Sequence, residues 1–260
     1  MAEATDAAEQ ELRLLDELSA EVKAASPEAV ILSDEGLFVV RNDSDFAFLK
    51  RLSALFDRLV IVAFVRRQDE QSLSRYKQSL REGKTHSLKE FLNRKRPHLA
   101  YAAHFDQIAR ALPDAEVRLS AYHSRLLREV PLFQRFADLC GLQALKDVAQ
   151  SDDRVNTSLD ALGSEFVRRY NMAEGRMAKP LALAVASLCT GPDLHFPLDE
   201  RKAFMARFDA SNRDLVDRYL PDAEDVFLSC PRDVDGMPQE EVTDQMVLEF
   251  SLKVLARSQA

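Results

Sequence analysis

Cysteine, glycine and long apolar runs are all scarce in this sequence, and each scarcity removes a class of protein. The three cysteines, Cys140, Cys189 and Cys230, stand far apart in the 260 residues. They cannot all pair, so neither a disulfide framework nor a CxxC metal site is present, and a reducing compartment is the expectation. The longest uninterrupted apolar run, Leu59 to Val65, is far short of the roughly 20 residues that a membrane-spanning helix needs. The first residues, MAEATDAAEQELRLL, are acidic and lack the basic start and apolar stretch of a secretory signal. A cytoplasmic location is therefore expected. The seven glycines include no phosphate-loop arrangement, and no HExxH, GxSxG or Cys/His nucleophile pattern occurs.

An excess of basic charge is missing too. Lysine and arginine total 35 against 43 aspartates and glutamates, a net charge of -8, which gives no global reason to bind nucleic acid or an anionic membrane. What is present is a composition 46% hydrophobic and 30% charged, enough to bury a sizeable core and unlike that of a disordered chain. The length suits one large α/β domain or a domain with a helical appendage.

Leu12, Leu15, Leu18 and Val22 recur at helical spacing among acids and bases, which predicts an amphipathic helix over residues 1–25, ending before Ser26-Pro27. Ala29 to Leu32 reads as a short buried strand opening into the polar turn Ser33-Asp34-Glu35-Gly36. A second helix, capped by Asp43 or Ser44, carries Phe48, Leu49, Leu52 and Leu55/Phe56. It leads to Leu59 to Val65, apolar on both faces, the pattern of a central parallel strand covered by helices.

Helices then follow through Leu73, Tyr76 and Leu80 to Gly83, over Ser87 to Asn93, and over Pro97 to Leu112. Glu116 to Tyr122 reads as a third strand, and a helix from Pro131 closes at Cys140-Gly141. The order of these elements, αβαβαααβα from the first helix on, argues for an α/β core over residues 26–150 with a parallel sheet. Residues 151–260 read as mostly helical, with Val226 to Leu228 too short to assign.

In open α/β sheets ligands bind at the carboxyl ends of strands. Three such points are Ser33-Asp34-Glu35, Arg66-Arg67-Gln68-Asp69, and Tyr122-His123-Ser124-Arg125. The second is the most informative, because two arginines between a strand and a helix set guanidinium forks beside unpaired backbone N–H groups, an anion site in principle. Ser72 or Ser74 adds a hydroxyl to it; the alternative is that Arg66 or Arg67 pairs with Asp69, Glu70 or another acid. Glu35, a carboxylate at a strand end, is the candidate general base, against a reading as a turn acid or helix cap. His98 and His104 do not share a helical face, so a zinc pair is not expected, and His86 and His195 have no ligand-spaced companions.

The stretch Val62-Ala63-Phe64-Val65-Arg66-Arg67-Gln68-Asp69-Glu70-Gln71-Ser72-Leu73-Ser74-Arg75-Tyr76 resembles the second nucleotide motif of bacterial sulfotransferase-family proteins. Val30-Ile31-Leu32-Ser33-Asp34-Glu35 and Arg154-Val155-Asn156-Thr157-Ser158-Leu159 are similar to further segments of that family, and the resemblance runs from about Ala29 to Leu220. It implies that Arg66 and Ser74, eight positions apart, hold the 3′-phosphate of the sulfate donor, 3′-phosphoadenylyl sulfate. The family's opening strand and Lys-Thr-Gly-Thr-Thr-like turn, which cradles the 5′-phosphosulfate, has no counterpart before Ala29 in this sequence.

The resemblance implies one domain over residues 1–260, a three-layer α/β domain akin to the P-loop-like sulfotransferase fold. It further implies transfer of a sulfuryl group from 3′-phosphoadenylyl sulfate to a hydroxyl or amine of a carbohydrate or small metabolite, without a metal. A truncated or degenerate relative, non-catalytic and acting as a nucleotide-binding or accessory module, is the alternative. The expected partners are the nucleotide donor and an acceptor, with neither nucleic acid nor membrane, and self-association follows if apolar surface is exposed where the missing strand belongs.

Overall fold

The computed structural model describes residues 2–33, 43–94, 96–147, 158–231 and 236–258. In chain order these form α1 (Ala2–Ala25), α2 (Asp43–Ser53), β1 (Val60–Val65), α3 (Gln68–Arg81), α4 (Leu88–Leu92), α5 (Tyr101–Ala111), β2 (Glu116–Ala121), α6 (Ser124–Glu129) and α7 (Leu132–Cys140). They continue through α8 (Ala161–Glu174), α9 (Lys179–Leu188), β3 (Leu194–His195), α10 (Leu198–Ala206), α11 (Asp209–Tyr219), α12 (Glu224–Phe227), β4 (Met237–Pro238) and α13 (Asp244–Ser258). The chain is α/β, mostly helical, with small parallel sheets.

Local chemistry accounts for many of the boundaries. Ser87 and Glu90 close a reciprocal capping box at the start of α4, each side chain accepting the other's backbone N–H. At the end of α7, Gly141 takes φ 73° and ψ 21°, the left-handed geometry in which a side chain would clash with backbone. Gly83 ends α3 at φ 91°, and a Cβ there would sit 2.9 Å from the Cβ of Arg176.

The chain divides into two compact units, Met1–Ala63 with His98–Leu119, and Phe64–Pro97 with Ser120–Ala260. In the first, α2 packs against both α1 and α5, burying Leu15, Leu49, Leu52, Phe105 and Ile108. The predicted amphipathic first helix is thus present, with Leu15 inward while Leu12 and Leu14 remain exposed. In the second unit, α3 packs on α4, α8 and α10, and α13 covers α8 and α9. Tyr76, Leu80, Val185, Leu215 and Val254 are almost wholly buried there. The unassigned Val226 to Leu228 segment falls in α12 and its C-cap.

Strand β1 pairs with β2. Leu59 O accepts from Glu116 N at 3.0 Å and Val65 O from Tyr122 N at 2.7 Å; the offset is the same at both ends, so the pair is parallel. A second parallel pair joins Leu194 to Met237 and His195 to Pro238.

Two expectations about the sheet need correction. Residues 30–32 are not a strand: they have no ladder partner among the described residues, and Ile31 and Leu32 are about half exposed. An apolar tetrapeptide becomes a strand only where another backbone satisfies its N–H and C=O groups. Strand β1, in turn, is half-buried along its length and fully buried only at Val65, because its sheet has two strands among the described residues rather than a layer on each side.

Burial makes a direct stability prediction. Leu80→Ala should destabilise the chain by about 2–5 kcal/mol, through lost transfer energy and a cavity, whereas Leu252→Ala, at 60% exposure, should stay within about 0.5 kcal/mol. Urea unfolding of both variants beside the parent checks the contrast.

Candidate functional site

The turn from β1 into α3 separates its two arginines. Arg67 takes the N-cap position of α3 at φ -54° and ψ 141°, without a side-chain cap hydrogen bond, and turns its guanidinium inward. Its Nε and Nη2 donate to Asp69 Oδ1 and Oδ2 at 2.9 and 2.7 Å, a two-point fork of the kind only arginine makes. Arg201, on α10, donates its Nε to Asp69 Oδ2 from 132 residues away. Asp69 is wholly buried, and Arg67 and Arg201 nearly so, so one carboxylate neutralises part of two inward-facing cations.

Burial alone would push the Asp69 carboxyl up, but the Arg67 fork and the Arg201 charge outweigh it and hold the group below the ordinary carboxylate range. Alongside, the Gln68 and Asn212 amides clasp each other, Nε2 to Oδ1 at 2.6 Å and Nδ2 to Oε1 at 3.2 Å. The first turn of α3 is therefore bolted to α10 and α11.

Arg66 goes the other way. Its Cζ lies 4.4 Å from the centroid of the Tyr122 ring, the residue that follows β2, and it keeps partial access to solvent. Two residues called from separate strand ends are thus brought together by the parallel pairing of β1 and β2. A cation over an aromatic face is held in place by the ring.

Ser74 is on the exposed side of α3, whereas Ser72 is on the buried side with its hydroxyl unpartnered. Of the two serines weighed as phosphate ligands, only Ser74 is on the solvent face. His123 caps α6, its Nδ1 accepting from Arg125 N at 3.4 Å, and Arg125 pairs with Glu129 and Asp225. Glu35 lies outside the described residues, as do 154–157 of the downstream segment.

Farther along α3, the Tyr76 hydroxyl accepts from Gln239 Nε2 at 2.8 Å, and the same amide donates to Glu165 Oε2 at 2.8 Å. Burial raises the Tyr76 hydroxyl well above the ordinary phenol range, so it stays protonated. Lys77 is buried and paired with Asp193, with Ser158 Oγ at 3.1 Å. Nothing in the spacing of Asp69, Arg201, Gln68 and Asn212 pointed to these pairs, which join residues more than a hundred positions apart. The open pocket by Ser229 is lined with Asp222, Glu224 and Asp225, a poor setting for an anionic nucleotide. Among the described residues no group of three or more His, Cys, Asp or Glu side chains is placed to hold a metal ion, and no helix is long and apolar enough to cross a membrane.

No family model matches this sequence, and no solved structure matches it. A relative from Archaeoglobus fulgidus, described as an uncharacterized protein, is 23% identical over 231 residues, 86% of this chain and 62% of its own length. The chain thus spans somewhat under two thirds of that relative.

Asp69→Asn should cost about 3–5 kcal/mol, because it leaves two buried guanidiniums facing a neutral amide. The pH dependence has a definite sign. A carboxyl whose folded pKa is depressed adds stability that is complete above its unfolded value near 3.9, and that stability is lost as pH falls through the lower folded value. Below about pH 4 the parent should lose stability relative to Asp69→Asn, measured by urea unfolding across pH.

Proposed function

We propose that Arg66 and Ser74 form the 3′-phosphate half of a site for 3′-phosphoadenylyl sulfate, in a sulfotransferase-like protein of three-layer α/β type. The observation that carries the reading is the division of labour between neighbouring arginines. Arg67 turns inward to Asp69, whereas Arg66 turns to Tyr122 at the ends of paired parallel strands, with Ser74 on the exposed side of the helix that follows. That is where α/β folds present ligands.

On this reading an acceptor hydroxyl or amine, on a carbohydrate or small metabolite, attacks the sulfur of the donor. The new bond to sulfur forms as the bond to the phosphate oxygen breaks, adenosine 3′,5′-bisphosphate leaves, and the acceptor proton passes to a base, for which Glu35 is the candidate. Catalysis of such a transfer is mostly positioning and charge stabilisation, as in phosphoryl transfer. No metal enters the scheme, and three cysteines far apart in the sequence support a reducing compartment such as the cytoplasm.

One observation favours a second reading, a nucleotide-binding or accessory module. None of the seven glycines sits in a phosphate loop, so these residues supply no cradle for the 5′-phosphosulfate.

Calorimetric titration with adenosine 3′,5′-bisphosphate, beside adenosine 5′-monophosphate, isolates the 3′-phosphate contribution. A charge-assisted arginine contact is worth roughly 1.5–3 kcal/mol and a neutral hydroxyl about 1 kcal/mol. Arg66→Ala should weaken the bisphosphate about ten- to a hundredfold, Arg66→Lys less, and Ser74→Ala least. Equal affinity for the two nucleotides, or binding of neither, removes the half-site. A donor-turnover assay on the same 260-residue chain separates the readings: turnover across mixed acceptors supports the enzyme, and binding without turnover supports the module.

A further inference from the structure

A second set of arginines sits in a different place, on the exposed side of α3 and just beyond α4. Arg75 and Arg94 are exposed and Arg96 is half-buried. Among the described residues, none of the three guanidiniums makes an ion pair or a hydrogen bond. The nearby acid of α4, Glu90, is turned to its own helix start, where it accepts from Ser87 N at 2.7 Å.

Arg96 is the anchored member. Its Cζ lies 3.6 Å from the centroid of Phe91, and that ring is edge-on to Tyr76 at 5.4 Å and stacked on His86 at 5.2 Å. Tyr76 directly follows Arg75 in α3, so the aromatic stack that grips Arg96 through Phe91 of α4 leans on the turn of α3 that also carries Arg75. The Nε of Arg96 is shielded from water and has no acceptor, an arrangement that native structures rarely leave without an explanation. Burial, Arg94 and Arg75 all lower the pKa of the Arg96 guanidinium, the effect expected of like charges held near one another.

We propose that Arg75, Arg94 and Arg96 form an anion site for a multiply charged oxyanion, a phosphoryl or sulfuryl group, separate from Arg66 and Ser74. An oxyanion supplies what the three groups lack, acceptor lone pairs for the planar forks and negative charge to offset their repulsion. Arg96, fixed on Phe91, presents its fork with little further ordering, and the exposed pair closes on the ligand from solvent.

The test is a titration of the whole chain with inorganic pyrophosphate and, separately, sulfate, by calorimetry and by thermal unfolding, with sodium chloride at matched ionic strength as control. Pyrophosphate or sulfate should bind and raise the Tm beyond the chloride control. Arg75→Gln and Arg94→Gln, both at exposed positions, should each weaken that binding about tenfold or more in the Arg66→Ala background, where the proposed 3′-phosphate contact is already absent. Without the anion, Arg94→Gln should unfold no lower than the parent, because it removes repulsion and no partner. Arg96→Lys should bind more weakly than the parent and more tightly than Arg96→Gln. The proposal is overturned if neither anion acts beyond chloride, if Arg75→Gln and Arg94→Gln bind as their Arg66→Ala background does, or if Arg66→Ala alone abolishes binding. The Arg66→Ala arm keeps failure here distinct from failure of the 3′-phosphate reading.

Discussion

The carboxylate of Asp69 is the constraint on which the second unit depends. It is wholly buried between Arg67 and Arg201, so its charge has to be met by those two groups or not be there. Taking three ionised groups out of water is expensive, and the arrangement survives because the geometry is two-point on one side and closed from α10 on the other. Removing the carboxylate leaves both guanidiniums buried without the charge they share. The start of α3 therefore has little freedom, and Arg66, at the preceding position, inherits a fixed place over Tyr122.

Helix α3 buries an unusually polar face: Gln68, Asp69, Ser72, Lys77 and Ser79 share it with Tyr76 and Leu80. Most of these groups have matched partners. Gln68 meets Asn212, Lys77 meets Asp193, and Tyr76 meets Gln239, which also reaches Glu165. Such pairs add little net energy when complete and are costly when broken. They fix which helices surround α3 more than they glue them, the apolar burial of Tyr76 and Leu80 supplying the bulk of the driving force. With the inner face committed to packing, the outer face with Ser74 and Arg75 is left to solvent.

The same residue type is held in two different ways at three places within a short stretch of chain. Arg67 is structural, neutralised in the interior. Arg66 rests on an aromatic ring at a strand end, and Arg96 rests on another beyond α4. Guanidinium planarity permits all three, since it forks to carboxylates, stacks on rings and stays charged. Counting basic residues in an acidic protein would miss this, because the local arrangement, not the net charge, sets where an anion is welcome.

By itself the sequence determined the periodic elements. The stripe through Leu12 to Val22, the apolar run ending at Val65, the helix beginning at Ser87 and the glycine after Cys140 each state a local preference that the chain obeys, because helix periodicity, capping and left-handed geometry are decided within a few residues. It also offered the turn at Arg66 and Arg67 as a candidate place for anions, yet could not say which arginine would turn inward. Only the tertiary structure decided that, since the acid that holds Arg67 is itself held by Arg201, far along the chain. Nor could the run at residues 30–32 report that it would have no ladder partner among the described residues, or β1 that it would be half-buried. Strand burial and ion pairing are properties of what the fold brings alongside, and a single segment carries no record of its distant neighbours.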